Sequence, residues 1–371
     1  MKQYLSLGKG FIACLFGLSL LAGACGSSGP SLSYDHKGPH VVGATTLDLG
    51  PSATYGERMA TVFYPADAKA AMSHGKFSYD QASTLPTALR GVLPARFNSV
   101  TKVNAYLDAP ASKSGPYPVV LFSHGFGGQR LYYSTLLAGI ASWGYVVVSA
   151  DYLERGLAAQ ASGSSTRPPA SLDQQIMFSS LAAVKKASGS ASSPLHGVAN
   201  TQEVATAGHS AGGRTAFDAL ADPRVKVAIG WAPVGPSATP VSKPSMIITA
   251  KGDLAIPSKS VERVYASFPT PKALVQVGGE GHNTYTDICT SIRAGGGLIG
   301  YAVAQKIIKP ELAKLGINGC EHKDIPAVRF WPIVQAYTVT ELQAYLHKGD
   351  ASLASPSEGQ FPGFTVSIHQ Q

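Results

Sequence analysis

The sequence predicts an α/β protein built on a doubly wound, mostly parallel sheet with helices on both faces. Short apolar runs rich in β-branched residues lack the alternation of half-exposed strands, as expected for strands buried on both faces. Segments with helical spacing separate these runs, which favours parallel crossover connections. In addition, a glycine-rich pentapeptide follows one of the apolar runs directly.

The elements follow in order along the chain. The runs expected to be strands are 40–49, 58–64, 119–124, 145–151, 203–209, 225–232, 245–250 and 273–277. The segments expected to be helices are 131–143, 172–187, 214–221 and 261–268. Residues 67–116 show no steady period, so we expect one or two short helices and a long loop there.

The N-terminus has the pattern of an export signal over residues 1–24. Lys2 and Lys9 form a basic start, and an apolar run ending in small residues follows. The segment LLAGAC is similar to a bacterial lipobox, which would make Cys25 a lipidated mature N-terminus and a point of membrane attachment. The same small residues also suit ordinary secretory cleavage, so an envelope lipoprotein and a freely secreted protein both remain open.

Composition divides the rest of the chain into three parts. Residues 25–38 are rich in Gly, Ser and Pro and are expected to form a flexible tether. Residues 39–348 are expected to form the α/β domain. Residues 349–371 are expected to be a polar tail that wraps the surface or stays mobile.

The cysteines indicate one disulfide. Cys14 leaves with the signal, and lipidation of Cys25 would leave only Cys289 and Cys320. Export places that pair in an oxidising compartment, so we expect a Cys289–Cys320 disulfide. Metal binding is a poor alternative, because the sequence has no CxxC or clustered His/Cys spacing.

Charge and composition exclude some function classes. The net charge is +8, but the basic residues are scattered and do not cluster with aromatics, so nucleic-acid binding has little support. Hydrophobic residues make up 44% of the chain, enough for a buried core. We expect a monomer without a metal or organic cofactor.

The motif that points to chemistry is Gly208-His209-Ser210-Ala211-Gly212, which fits G-x-S-x-G. A buried strand leads into it and a helix leaves it, the setting that a nucleophile elbow requires. Such a turn exposes the Ser210 hydroxyl above the carboxyl edge of the sheet. It also aims the Ala211 N–H at the same point, near a helix N-terminus that favours negative charge.

A serine hydroxyl needs a base, and the base needs an orienting acid. The strand 245–250 leads into Asp253, and the strand 273–277 leads into a glycine-rich loop with His282. Both candidates therefore leave the sheet at the same edge as Ser210, in the chain order Ser, acid, His. We predict His282 as the general base and Asp253 as its orienting acid.

Two nearby residues are weaker candidates. His209 lies inside the elbow and is expected to point away from the active face. Asp287 is the reserve acid, but it follows His282 so closely that it is expected to miss the far ring nitrogen.

The loop after strand 119–124 is glycine-rich, which lets its backbone approach a substrate closely. The N–H groups of Phe126 and Ala211 are the expected oxyanion donors, and the Phe126 ring is expected to form an apolar wall for the acyl group. Trp231 closes strand 225–232 and either lines the substrate site or belongs to the core.

Taken together, several segments resemble one branch of the α/β hydrolases. This branch holds the bacterial cutinases and polyester hydrolases, the platelet-activating-factor acetylhydrolases and the dienelactone-hydrolase-like enzymes. The segments are FSHGFGG, GHSAGG, TAKGDLAIP and GGEGHNTY. The resemblance implies the α/β-hydrolase fold, with Ser210, Asp253 and His282 as the triad and Phe126 and Ala211 as the oxyanion hole.

The departures from that branch bear on the substrate. Dienelactone hydrolases carry a cysteine where this chain has Ser210. Residues 67–116 and 283–345 are extra or longer than in cutinase-like enzymes, which moves the expectation from polymers toward small or lipid-like esters. An exported serine esterase is therefore expected. An envelope acyltransferase with the same triad and a non-catalytic envelope lipoprotein are the alternatives.

Overall fold

A computed structural model describes residues 33–85, 90–91, 93–162, 168–294, 298–306 and 309–371. The predicted signal and Cys25 lie outside these described residues.

An eleven-stranded sheet runs through the described part of the chain. Its strands are β1 (Val42–Ser52), β2 (Gly56–Pro65), β3 (Lys76–Asp80), β4 (Val100–Leu107), β5 (Tyr117–Ser123), β6 (Val146–Ala150), β7 (Ala199–His209), β8 (Val225–Trp231), β9 (Ser245–Ala250), β10 (Lys272–Val277) and β11 (Val366–Gln370).

Helices connect the strands and cover the sheet. They are α1 (Ala68–Ala71), α2 (Ser134–Ala141), α3 (Leu157–Ala161), α4 (Ala170–Ser188), α5 (Ala211–Asp218), α6 (Ser258–Ser267), α7 (Ile288–Ala294), α8 (Leu298–Ala304), α9 (Pro310–Ile317) and α10 (Ala327–Leu346). Short 3-10 turns cover Ala82–Thr84, Ala95–Phe97, Leu153–Arg155 and Ala219–Ala221.

The spatial order of the strands is β11-β10-β9-β8-β7-β5-β6-β2-β1-β4-β3. The pairs from β10 through β6 are parallel, and β2 joins β6 in the antiparallel direction. The predicted doubly wound, mostly parallel sheet is therefore confirmed. The carboxyl ends of β5, β7, β8, β9 and β10 meet at one edge, where ligand sites of such sheets lie.

Alternate residues of β5 explain why its run is wholly apolar. Val120 and Phe122 pack in the core that contains α2 and α10, whereas Val119 and Leu121 pack in the core that contains α4 and α6. Every residue of this strand is buried, so both faces of the sheet exclude water.

The prediction for residues 67–116 is wrong in part. Besides α1 and loops, the segment contains β3 and β4, which extend the sheet at one edge. In β4, Val103 and Ala105 are buried while Lys102 and Asn104 are exposed. This short alternation is that of a strand with one solvated face, and polar residues obscure it in the sequence.

The predicted tail is a structural part of the domain. Its last residues form β11, which pairs antiparallel with β10. Ala273 lies opposite Gln370 at one end of the pair, and Val277 lies opposite Val366 at the other. Residue 348 is therefore no domain boundary.

The end of the predicted tether is also fixed to the domain. The Trp143 Nε1–H donates to the His36 carbonyl at 3.0 Å, and the Gln335 amide donates to the Tyr34 carbonyl at 2.7 Å. Both donors belong to helices or loops of the packed body, so these bonds hold the segment against it. Residues 34–36 are thus bound to the body and do not form a free linker.

No described helix combines the length and the apolar character needed to cross a membrane.

Candidate active site

Ser210 occupies a strained turn between β7 and α5. Its backbone has φ 56° and ψ −119°, a conformation that L-residues rarely adopt. A Cβ on Gly208 would overlap the Gly212 carbonyl, and a Cβ on Gly212 would overlap the Ser123 carbonyl. The glycines of the motif are therefore required by close backbone packing, as the elbow interpretation expects.

Asp253 and His282 lie on the loops after β9 and β10 and are hydrogen-bonded to each other. The Asp253 Oδ1 accepts the N–H groups of Ala255 and Ile256 at 2.8 and 2.7 Å. The other oxygen, Oδ2, lies 2.7 Å from His282 Nδ1. Because a carboxylate only accepts hydrogen bonds, the proton lies on Nδ1, and Nε2 is left as an acceptor.

His209 connects the histidine loop to the serine turn. The rings of His209 and His282 lie 4.6 Å apart between centroids, and His209 Nε2–H donates to the His282 carbonyl at 2.9 Å. The residue before Ser210 is thus in direct contact with the loop that carries His282. The expectation that His209 points away from the site is wrong, because the ring packs against the predicted base.

His209 also connects to the glycine-rich loop after β5. Its Nδ1 accepts the hydroxyl proton of Tyr133 at 2.8 Å, and the Tyr133 oxygen accepts the Gly125 N–H at 3.5 Å. Burial, and then the neighbouring His282 ring, hold the pKa of His209 well below its ordinary value. His209 is therefore a neutral residue that donates on one side and accepts on the other.

The loop after β5 is fixed against Ser210. A Cβ on Gly125 would lie 3.1 Å from the Ser210 Cβ. His124 Nδ1–H donates to the Gly125 carbonyl at 2.8 Å, while its Nε2 accepts the Tyr152 N–H at 3.0 Å. Burial first, and the Arg155 charge second, lower the pKa of His124 to about 3, so this ring stays neutral.

Two backbone donors are available beside the serine. Within the described part of the chain, neither the Phe126 nor the Ala211 N–H donates to a protein acceptor. The next amide, Gly127 N–H, instead donates to the Arg155 carbonyl at 2.8 Å, which fixes the loop. This arrangement leaves the pair predicted for the oxyanion hole available to a substrate oxygen.

The predicted substrate residues differ in exposure. Phe126 is 50% exposed, and Leu254, next to Asp253, is 53% exposed. Trp231 is 0% exposed, and its Nε1–H donates to Thr338 Oγ1 at 3.1 Å. Of the two alternatives for Trp231, the structure therefore places it in the core and not among the substrate contacts, while Phe126 lies at the surface of the site.

The reserve acid lies elsewhere. Asp287 Oδ2 accepts the Thr135 N–H at 3.1 Å and the Tyr79 hydroxyl at 3.3 Å, so it caps α2 and does not reach His282. Burial raises the pKa of Asp287 to about 7. The geometry thus favours Asp253 over Asp287 as the partner of the histidine.

The expected disulfide is present in the structure. It joins Cys289, in α7, to Cys320, which follows α9. Both cysteines are buried. The bond therefore ties the segment after His282 to the loop after α9.

The sheet, the serine turn and the loop order define an α/β hydrolase by fold. A solved ferulic acid esterase from Streptomyces cinnamoneus superimposes with a TM-score of 0.61 at 21% sequence identity, covering 88% of this chain and 96% of that one. The fold predicted from the resemblance is thereby confirmed.

Sequence comparisons agree with that assignment. The Chlorophyllase family model matches residues 95–253, a span that contains Phe126, Ser210 and Asp253. The platelet-activating factor acetylhydrolase of Cavia porcellus is 30% identical over 129 residues, which cover 33% of this chain and 29% of that protein. The matched segment is less than a third of this relative's length. Within that segment, the predicted resemblance to an acetylhydrolase branch is confirmed.

Proposed function

We propose that the protein is an exported serine carboxylic-ester hydrolase that acts through Ser210, His282 and Asp253. The observation that carries the proposal is the 2.7 Å hydrogen bond from His282 to Asp253, in a loop that contacts the turn of Ser210. The acid fixes the ring as the Nδ1–H tautomer, so Nε2 can accept the serine proton.

The reaction proceeds by acyl transfer to water. Ser210 attacks the ester carbonyl and gives its proton to His282 Nε2, and the Phe126 and Ala211 N–H groups stabilise the oxyanion. The imidazolium then protonates the leaving alcohol, which leaves an acyl-enzyme. In the second half, His282 takes a proton from water, and the hydroxide releases the acid.

The substrate class follows from the surface of the site. The exposed side chains of Phe126 and Leu254 flank the oxyanion loop and the acid, and they favour an ester with an apolar part. The names of the matched proteins, an acetylhydrolase and a ferulic acid esterase, agree with small or lipid-like esters. Export rests on residues 1–24, followed either by lipidation at Cys25 or by ordinary secretory cleavage, and the Cys289–Cys320 disulfide supports it.

The test compares Ser210→Ala with a matched buried serine. Ser180 lies in α4 and its hydroxyl donates to the Met177 carbonyl at 2.7 Å, so Ser180→Ala controls for loss of a buried hydroxyl. Ser210→Ala should lower p-nitrophenyl butyrate hydrolysis by about 10,000-fold or more, whereas Ser180→Ala should stay within about threefold. Retained activity in a folded Ser210→Ala protein would end the proposal.

A further inference from the structure

Asn318 joins the two loops that carry the acid and the histidine. Its Oδ1 accepts the His282 N–H at 2.8 Å and the Leu254 N–H at 2.9 Å. Its Nδ2–H donates to the Gly252 carbonyl at 3.1 Å. One side chain thus bonds the backbone on both sides of Asp253 and the backbone of His282 itself.

The main chain around Asn318 reinforces this connection. The Asn318 carbonyl accepts the Asn283 N–H at 2.9 Å. Gly319 has φ 87°, and a Cβ there would overlap the Thr284 hydroxyl, while a Cβ on Gly281 would lie 2.5 Å from the Gly319 nitrogen. Only glycine permits so close an approach of the two segments, so their contact is specified by the sequence.

The disulfide holds this segment in place. The Cys320 N–H donates to the Ile317 carbonyl at 2.7 Å, which closes a turn around Asn318. Cys289 lies on the helix that follows the histidine loop, and its Sγ lies 3.3 Å from the Gly319 carbonyl. The covalent bond therefore anchors the Asn318 turn to the same unit that carries His282.

We propose that Asn318 is a positioning residue that sets the geometry between Asp253 and His282, and that the Cys289–Cys320 disulfide acts on activity through Asn318. The proposal rests on the proposed function of these residues. Loss of the Asn318 side chain leaves β9 and β10 paired but removes three of the hydrogen bonds that hold their loops together beyond the sheet. A shift of about 1 Å between catalytic groups can cost about 100-fold in rate.

The main test is kinetic. Asn318→Ala should lower kcat for p-nitrophenyl butyrate by about 10- to 100-fold with KM within about twofold, because the apolar side chains of Phe126 and Leu254 at the site are kept. Asn318→Asp keeps both acceptor bonds but loses the donor to the Gly252 carbonyl, so its kcat should lie between those of the wild type and the alanine variant. Asn283→Ala is the matched control, since its amide donates to the Leu315 carbonyl at 2.8 Å and does not reach the acid loop.

A spectroscopic readout separates this proposal from the proposed function. The proton between His282 Nδ1 and Asp253 should give a far-downfield imidazole N–H resonance in the wild-type protein. Asn318→Ala should shift or broaden this resonance, and Asn283→Ala should leave it unchanged. This measurement does not depend on turnover, so an inactive wild-type protein would contradict the function while still testing the role of Asn318.

The disulfide part is tested by a cycle of reduction and mutation. Dithiothreitol supplies two electrons and two protons, converts the bond to two thiols and becomes a cyclic disulfide. Both cysteines border a surface cavity but are only 2% exposed, so the extent of reduction is followed by the mass gain of two hydrogens. Reduction should lower kcat in the wild type and in Asn283→Ala. In Asn318→Ala, reduction should lower kcat further by less than about twofold.

Three results would overturn the proposal. They are an Asn318→Ala kcat equal to that of Asn283→Ala, an unchanged downfield resonance in Asn318→Ala, and losses from reduction and mutation that simply multiply. A fall in melting temperature shared by both asparagine variants does not alter this comparison, because the readouts are kcat and the resonance of folded protein.

Discussion

Asp253→Asn is the substitution that best distinguishes a role of Asp253 in orienting the His282 ring from a role in packing alone. Asp253 Oδ1 accepts two backbone N–H groups, so the asparagine oxygen should take that position and the amide NH₂ should face His282. An NH₂ group there donates to Nδ1 and moves the ring proton to Nε2, where it blocks proton transfer from Ser210. The expected loss in kcat is about 10,000-fold, equivalent to about 5 kcal/mol.

The assay is steady-state hydrolysis of p-nitrophenyl butyrate near neutral pH, with thermal unfolding measured on the same samples. Asp287→Asn is the control, because Asp287 is a buried carboxyl that caps α2 and does not contact His282. It should keep kcat within about threefold. The orientation argument fails if Asp253→Asn retains more than a tenth of wild-type kcat, or if both asparagine variants lose activity equally.

Three further predictions concern the turn, a buried acid and the disulfide. Gly212→Ala would force a Cβ into a backbone carbonyl and should cost more than about 3 kcal/mol of unfolding free energy. Gly75→Ala, where a Cβ meets nothing, should change it by less than about 0.5 kcal/mol in denaturant titrations. Burial raises the pKa of Glu341 from 4.5 to about 8, so the folded chain holds a proton that the unfolded chain releases, and stability falls as pH rises across that range. Glu341→Gln should therefore raise the melting temperature more at about pH 9 than at about pH 5, and an equal gain at both would count against this. Peptide mapping of exported protein should recover Cys289 and Cys320 as a linked pair that gains two hydrogens on reduction, whereas two free thiols would contradict the bond.

The central strands were predictable because burial on both faces leaves an unmistakable apolar run. The strand predicted at 245–250 is observed at Ser245–Ala250, and that at 273–277 begins one residue earlier. Their ends then placed Asp253 and His282 at one edge of the sheet. β3 and β4 were missed because one face is solvated and polar residues alternate with the buried ones.

Other features of the site had no sequence signal. Because β8 is buried on both faces, its apolar pattern does not say toward which core Trp231 points. The His209 ring bonds Tyr133 on one side and the His282 carbonyl on the other, and both partners are more than 70 residues away in the sequence. Asn318 follows a helix outside the regular α/β pattern, 64 residues from its partner Leu254, and only the folded chain brings them together.

Labelling by a fluorophosphonate probe tests the central claim most directly, because the probe reacts with a serine only where a base removes its proton and donors stabilise the adduct. Mass spectrometry of the folded wild-type protein should find one adduct, on the peptide with Ser210, and none in Ser210→Ala. A folded wild-type protein that stays unlabelled, or that carries the adduct on another serine, would contradict the assignment.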